Sequence, residues 1–516
     1  MYQLFPTVAT YFAVRRKSGR HKLVFGDELT KCKPGGDETR APSHTKILRK
    51  EMTNVALPDD FCLRIRGQRV DADQFLGAIG GAPCVSLRLN IRKAASLGDS
   101  LPVAGVVPWC AEGRYLDERL AFTMMPQFHA GAFYVQEASS MSVSVALDVA
   151  GRHLPPSPVC LDLCAAPGGK ATLMAGRLGG GGVIVANEVV RQRAWVLREN
   201  MAKWGCPAVV VSNKTPAAIA ASGLKFDLVA VDAPCSGEGM FRKDPDAVGE
   251  WSPRAAADCA VRQRAILGDI WPALKPGGFL VYSTCTFNPD ENERVVEWIA
   301  GSLGAEVVPL PMPQGCGVET LATAAGEAYA FYPHKVRGEG FFLCLLRKAG
   351  EACAAGRRLS GRGGKPAQLF TKSAVGADMV DGLEVYAKDG VLVGLPRDRA
   401  AQMVAAACAL QPLMCGTPVG SVLSKRGRVD FAPAPELPLS WAYAGAALPD
   451  MELSLADALK FLHGDADIPL CQSAEAWSTV SYDGLRLGLV KRVGGRVNNY
   501  YPKEWRIRRS VVSPGA

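Results

Sequence analysis

Five short β-branched runs separated by helix-length stretches constrain this chain more than any other feature. They read "VCLDL" (159–163), "GVIVA" (182–186), "AVVVS" (208–212), "FDLVAVD" (226–232) and "GGFLVYS" (277–283). Helical stretches over roughly Lys170–Leu178, Val189–Trp204 and Arg254–Leu274 lie between them. This alternation predicts an α/β domain with a mostly parallel sheet covered on both faces. "LKPGG" (274–278) stops the last helix and leads into the fifth strand. Sheets of this kind gather their chemistry at the carboxyl ends of the strands.

The rest of the chain sorts around residues 151–349, which hold this domain. With 516 residues it has room for about three domains. Residues 1–55 read as a basic leader, either an RNA-binding arm or a disordered, even non-native, segment, with a natural domain start near Met52. Residues 1–51 hold eleven Lys/Arg against five Asp/Glu, six of the nine net positive charges. Net charge therefore says little about nucleic-acid binding by the folded part.

Residues 56–150 form a mixed segment. In it "VSLRLNIRK" (85–93) alternates like a half-buried strand with Arg88, Asn90 and Arg92 on one face. "AGAFYVQEASSMSVSVALDV" (130–149) starts strand-like and turns helical from about Glu137. Residues 350–366 are Gly/Arg-rich and read as a linker. Two small units follow, 367–450 and 451–516. In the second, Ser454 with Asp457 makes a helix N-cap pair and Gly464 a stop. Asp483-Gly484 and Gly494-Gly495 signal two hairpins.

A composition of 48% hydrophobic and 21% charged residues is ordinary for a soluble globular protein. No apolar run approaches the ~18 residues that span a bilayer, and no signal peptide is visible. A soluble cytoplasmic protein without a membrane partner is expected. The sixteen cysteines show neither Cys-x-x-Cys nor zinc-ligand spacing, so most are expected to be reduced, buried and without metal.

"LDLCAAPGGKAT" (161–172) runs from strand through a Gly-containing loop into a helix. Such a loop lets a ligand approach the backbone, and the helix start offers amide donors. It is neither a Walker loop nor a full G-x-G-x-x-G. Glu188, at the end of the next strand, could accept both hydroxyls of an adenosine ribose. Loop and acid together suit a nucleoside cofactor without a phosphate chain, such as S-adenosylmethionine. The bland alternative is a tight βα turn and an exposed glutamate. "VDAPCSGEGMFRKDP" (231–245) puts Asp232 at the end of the fourth strand and Cys235 in the turn beyond. The fifth strand ends in Ser283-Thr284-Cys285. Adjacent strand ends would gather two thiols and one carboxyl around one crevice. Two buried cysteines and a capping aspartate are the alternative.

These motifs, in order, resemble those of the RNA (cytosine-5) methyltransferases: "DLCAAPGGK" (162–170), "DAPCSG" (232–237) and "STCTFNPDENE" (283–293), with Glu188, Arg193 and Asn200 on "NEVVRQRAWVLREN" (187–200). "VPWCAEGRYL" (107–116), "FYVQEASSM" (133–141) and "DGLRLGLVKRVGGRVNNYYPKEWR" (483–506) are similar to parts of the RsmF-type ribosomal RNA methyltransferases. The resemblance covers about residues 56–516 and is thin over 367–450. It implies a Rossmann-like methyltransferase core, a small N-terminal α+β RNA-binding domain and a C-terminal PUA-like α+β RNA-binding module. It implies S-adenosylmethionine as cofactor, held by Cys164, Ala165, Ala166, Pro167, Gly168, Gly169, Lys170, Glu188, Arg193 and Asp232. Some relatives carry an aspartate after the third strand; here the chain reads "SNKT" (212–215), so no adenine contact is assigned there.

The implied chemistry accounts for the residue types. Carbon 5 of cytosine becomes nucleophilic once a thiolate adds to carbon 6. DNA enzymes use the Pro-Cys thiol, here Cys235; the RNA family uses Cys285. The resemblance therefore implies Cys285 as nucleophile, Cys235 in product release and Asp232 at N3. Lys170 would tune the thiol or orient Asp232, or else contact RNA phosphate. Phe241, Arg242 and Lys243 are expected to stack on or neutralise flanking RNA. Tyr500, Tyr501 and Lys503 could do the same or lie in a core. The implied partner is 16S ribosomal RNA, within the 30S subunit or naked, acted on by a monomer. Transfer RNA is the alternative. A zinc cytidine deaminase is excluded, because no His-x-Glu occurs and Pro234-Cys235 is followed by Ser-Gly-Glu. An amino-group methyltransferase would need no paired thiols. An RNA-binding assembly protein that has lost catalysis would not need Asp232, Cys235 and Cys285 together.

Overall fold

A computed structural model of the chain describes residues 56–69, 71–93, 97, 101–350, 370–425, 428–465 and 477–508. The basic leader and, past Gly350, the linker lie outside the described residues. The central sheet contains the five expected strands: β1 (Val159–Asp162), β2 (Val183–Asn187), β3 (Val209–Ser212), β4 (Phe226–Asp232) and β5 (Leu274–Thr284). All five are parallel, and β6 (Phe341–Lys348) adds antiparallel to β5. The order is β6-β5-β4-β1-β2-β3, with hairpin strands beyond β6. The order reverses at β1, so a crevice opens above the carboxyl ends of β1 and β4. No helix among the described residues is long and apolar enough to cross a membrane.

Helices α1 (Gly169–Leu178), α2 (Arg191–Trp204) and α3 (Pro253–Ile270) cover the sheet. Two boundaries depart from the pattern reading. α2 starts two residues later than expected because the Glu188 carboxylate takes the Val190 N–H and holds a turn there. α3 ends before Trp271, since Pro272 supplies no N–H to continue it, and Leu274 already belongs to β5.

Before the sheet come helices Asp59–Gln68 and Ala72–Ile79 and a four-stranded antiparallel sheet. Its first strand, Ser86–Leu89, is shorter than the alternation suggested, and it is buried on both faces, Leu87 on one and Ser86 and Arg88 on the other. Arg88, only 2% exposed, donates to Gln136 Oε1, Gly169 O and Thr172 Oγ1 at 2.8, 3.1 and 2.6 Å. The expected helix from Glu137 begins only at Val143. The Glu137 carboxylate accepts the N–H groups of Ser139 and Ser140, which favours a turn and a 3₁₀ segment first.

After Gly350, residues 371–433 form a five-stranded antiparallel sheet with one helix, Ala400–Leu410. That helix buries Met403, Ala406, Ala407 and Leu410 against Val183 and Val210 of the central sheet. Strand Met414–Cys415 pairs with the outer edge of β3. The last unit has helix Leu455–His463, capped by Ser454 and ended by left-handed Gly464, and both expected hairpins. The Lys93 ammonium, donating to the carbonyls of Ala130, Lys203 and Leu439 at 2.7–2.8 Å, joins three of these regions at one point.

Candidate active site

Parallel pairing of β4 with β5 sets Asp232 opposite Ser283. The Ser283 hydroxyl donates to Asp232 Oδ1 at 2.8 Å. Lys170, in the first turn of α1, brings Nζ to 2.7 Å from Asp232 Oδ2. Burial pulls the Lys170 pKa down, but the attraction of Asp232 and their hydrogen bond outweigh it and leave it above the ordinary value. Past the strand ends, Cys235 Sγ and Cys285 Sγ lie 3.4 Å apart. The Cys235 thiol is held well above the ordinary range by its hydrogen bond to Cys285 and by burial. The two turns are tied by Ala233 N–H to Ser283 O and Gly239 N–H to Cys285 O, both 2.8 Å.

The loop Cys164–Gly169 lies beside this crevice. Arg193 donates to Ala166 O and Asn200 to Pro167 O, each at 2.8 Å, so α2 shapes the loop from behind. Arg193 also approaches Glu188 at 3.7 Å. Gly168 has φ +125°, and a Cβ there would come 3.3 Å from Asn200 Cβ. Glu188 is buried rather than exposed. The Cys164 thiol is pushed up by burial and by Glu188.

Asp162, at the end of β1, carries the site's unsatisfied group. It is fully buried, and among the described residues its carboxylate oxygens find no well-formed hydrogen bond, only the weak influence of the Cys164 backbone N–H. Burial raises its pKa to about 7, against the pull of Lys170. A buried carboxylate so poorly satisfied, with Lys170 already paired to Asp232, fits a ligand that brings a positive charge. S-adenosylmethionine is such a ligand, with its ammonium and sulfonium groups. The residues present therefore fit that cofactor. Asp162 opens the "DLCAAPGGK" motif but was not among the expected ligands, because its lack of a well-formed hydrogen bond shows only in three dimensions.

The structure brings Asp232, Cys235, Cys285 and Lys170 together and withdraws two of the three RNA contacts expected beside them, leaving Lys243 exposed. Phe241 is buried against Phe61 and Trp251 at 5.1 and 6.5 Å. Arg242 spends its guanidinium on Glu339, Gly338 O and Ala78 O. Lys243 lies 3.8 Å from the same Glu339. In the last unit Tyr501 is 2% exposed and hydrogen-bonds His129, whereas Tyr500 is 36% exposed beside Trp477.

A doubly wound sheet with its switch point at β1, a glycine loop at the first helix and an acid after the second strand define an S-adenosylmethionine-dependent methyltransferase. Family models narrow this. The model for 16S rRNA methyltransferase RsmB/F matches residues 153–347, that for the N-terminal domain of 16S rRNA methyltransferase RsmF matches 57–138, and that for the methyltransferase RsmF PUA domain matches 448–507. Ribosomal RNA small subunit methyltransferase F of Klebsiella pneumoniae is 32% identical over 485 residues, 87% of this chain and 96% of its own. That of Salmonella heidelberg is 32% identical over 477 residues, with the same shares covered. Among solved structures, PH0851 is 27% identical with a TM-score of 0.50, covering 57% of this chain and 66% of that one. The chain belongs to the RsmF family of 16S rRNA methyltransferases.

Proposed function

We propose that this enzyme methylates carbon 5 of a cytosine in 16S ribosomal RNA through a covalent bond between Cys285 and carbon 6. The observation that carries the reading is the pairing of two thiols at 3.4 Å beside a lysine-backed aspartate. Methylation of an exocyclic amine or a ribose would use the aspartate but not the thiols.

The bound cofactor supplies an electrophilic methyl group on its sulfonium sulfur. The side chains do the rest. The Cys285 thiolate adds to carbon 6, and the C5=C6 electron pair passes into the ring towards N3 and O2, which makes carbon 5 nucleophilic towards the methyl group that the cofactor would supply. Negative charge builds on N3 and O2 of the ring. Asp232, fixed by Ser283 and Lys170, meets that edge, and the Lys170 ammonium offsets the charge. A base then takes the carbon 5 proton, the C–H electrons re-form the C5=C6 double bond, and the Cys285 sulfur leaves carbon 6 as a thiolate. Cys235, whose sulfur lies 3.4 Å from that of Cys285, stands where its thiol can donate a hydrogen bond to the departing sulfur. Asp162 would hold the cofactor's ammonium and Glu188 its ribose, while Arg193 acts through the 164–169 loop. Carbon 6 is attacked from above the ring, so the target base must be splayed out of any helix.

The test is a denaturing gel beside a methylation assay, using labelled S-adenosylmethionine and 16S ribosomal RNA, naked and in 30S particles. Cys285→Ala is expected to be inactive and free of adduct, and Cys235→Ala to accumulate a protein–RNA crosslink. Reversed roles would overturn the thiol assignment. Methylation of transfer RNA alone would overturn the substrate.

A further inference from the structure

Cys235 is bracketed by one hydrogen-bonded network. On its N-terminal side, Pro234 O accepts from Gln263 Nε2 at 3.0 Å. On its C-terminal side, Ser236 donates through N and Oγ to the Glu291 carboxylate at 2.9 and 2.5 Å. Gln263 Nε2 also donates to Glu291, at 3.0 Å, so both neighbours of Cys235 are referred to one acid. The Ser236 hydroxyl lies 2.8 Å from Thr286 Oγ1, next to Cys285. A hydroxyl pair thus repeats the thiol pair one residue further along both turns.

Glu291 has 0% exposure and forms no salt bridge among the described residues. A buried carboxylate with no cation is costly to keep, and its hydrogen bonds must compensate. The donors it collects come chiefly from the Cys235 turn and from Gln263 on α3. Its main-chain carbonyl takes the Tyr282 hydroxyl at 2.6 Å, which anchors it to β5. The acid therefore carries the position of β5, and with it Cys285, into the turn that holds Cys235.

We propose that Glu291 is a positioning residue for Cys235, setting the second thiol against Cys285 so that product is released. This rests on the thiol roles proposed above. Attack by Cys285 would survive a loosened Cys235 turn better than release would. Glu291 variants should therefore separate the two halves of the reaction.

The experiment compares Glu291→Gln, Ser236→Ala and Cys235→Ala with wild type, on 16S ribosomal RNA and S-adenosylmethionine. Single-turnover methyl transfer, steady-state turnover, trapped adduct and melting are read for each. For Glu291→Gln, turnover is expected to fall about tenfold or more and adduct to accumulate, while the single-turnover rate falls about threefold at most. Ser236→Ala, which keeps the backbone donor, should show the same split more weakly. Loss of both rates in equal proportion, without adduct, in a folded Glu291→Gln protein would overturn the proposal. If Glu291→Gln does not fold, Ser236→Ala decides by the same criterion. If Cys235→Ala itself traps no adduct, the thiol assignment fails. If it traps adduct and the Glu291 and Ser236 variants do not, only the role of Glu291 fails.

Discussion

Lys170 Nζ lies 2.7 Å from Asp232 Oδ2, across the switch point between β1 and β4. The same ammonium lies 5.2 Å from the centre of the Phe341 ring. A buried cation held between an acid and an aromatic face serves where negative charge develops. Replacing it by methionine keeps the stem and removes the charge. Lys170→Met is expected to lower single-turnover methyl transfer about a hundredfold, with cofactor affinity changed far less. Rapid-quench methylation beside calorimetric cofactor binding checks this. An unchanged rate would remove Lys170 from the chemistry.

Asp162 makes stability and cofactor binding depend on pH in opposite senses. Its folded pKa, raised to about 7 by burial, exceeds the ordinary carboxylate value. The folded state therefore holds a proton that the unfolded state releases, and this contribution to stability fades as pH rises from about 4 to 7. Asp162→Asn should consequently raise the melting temperature of the cofactor-free protein more at pH 8 than at pH 5.5. Cofactor binding needs the carboxylate, so in wild type it should release a proton near neutrality and tighten as pH rises. Calorimetry in buffers of different ionisation enthalpy measures that proton. Its persistence in Asp162→Asn would show that another group supplies it.

Arg88 couples the N-terminal sheet to the cofactor loop through Gly169 O and Thr172. Arg88→Met would leave three buried acceptors short of a donor. A loss of about 3 kcal/mol in urea unfolding is expected, together with weaker cofactor binding, because the start of α1 loses its brace. Destabilisation without any change in cofactor affinity would confine Arg88 to packing.

Tyr500 and Tyr501 should separate cleanly. Tyr500 stands beside Trp477, whose ring also carries the Lys491 ammonium at 4.7 Å, an exposed aromatic and cationic surface suited to unpaired bases. Tyr500→Ala is expected to weaken binding of 16S ribosomal RNA by about 1 kcal/mol or more. Tyr501→Phe loses only the His129 hydrogen bond and should lower melting while leaving RNA affinity intact. Filter binding and thermal melts distinguish the two.

The sheet and the strand-end groups were legible because their signals are local. Each β-branched run is short, and Asp232, Cys235 and Cys285 stand directly at strand ends. What was not legible depends on partners far away in sequence. The alternation at Arg88 was visible, but the burial of its polar face as well depended on Gln136 and Thr172. Phe241 follows the Cys235 turn and looks like a free aromatic until Phe61 and Trp251 enclose it. Glu291 sits in the acidic stretch that ends "STCTFNPDENE" (283–293), and only the fold turns it inward towards Ser236.

The strand Met414–Cys415 lies along β3, where Leu413 N–H and Gly416 N–H also bond to Val211 O and Val209 O. A parallel sheet that ended at β3 would present a bare row of donors and acceptors, a template for pairing with another copy. The unit after the linker closes that row. It therefore covers the free edge of the sheet as well as following it in sequence. A chain cut after β6 would keep every proposed catalytic side chain and leave that edge of β3 bare.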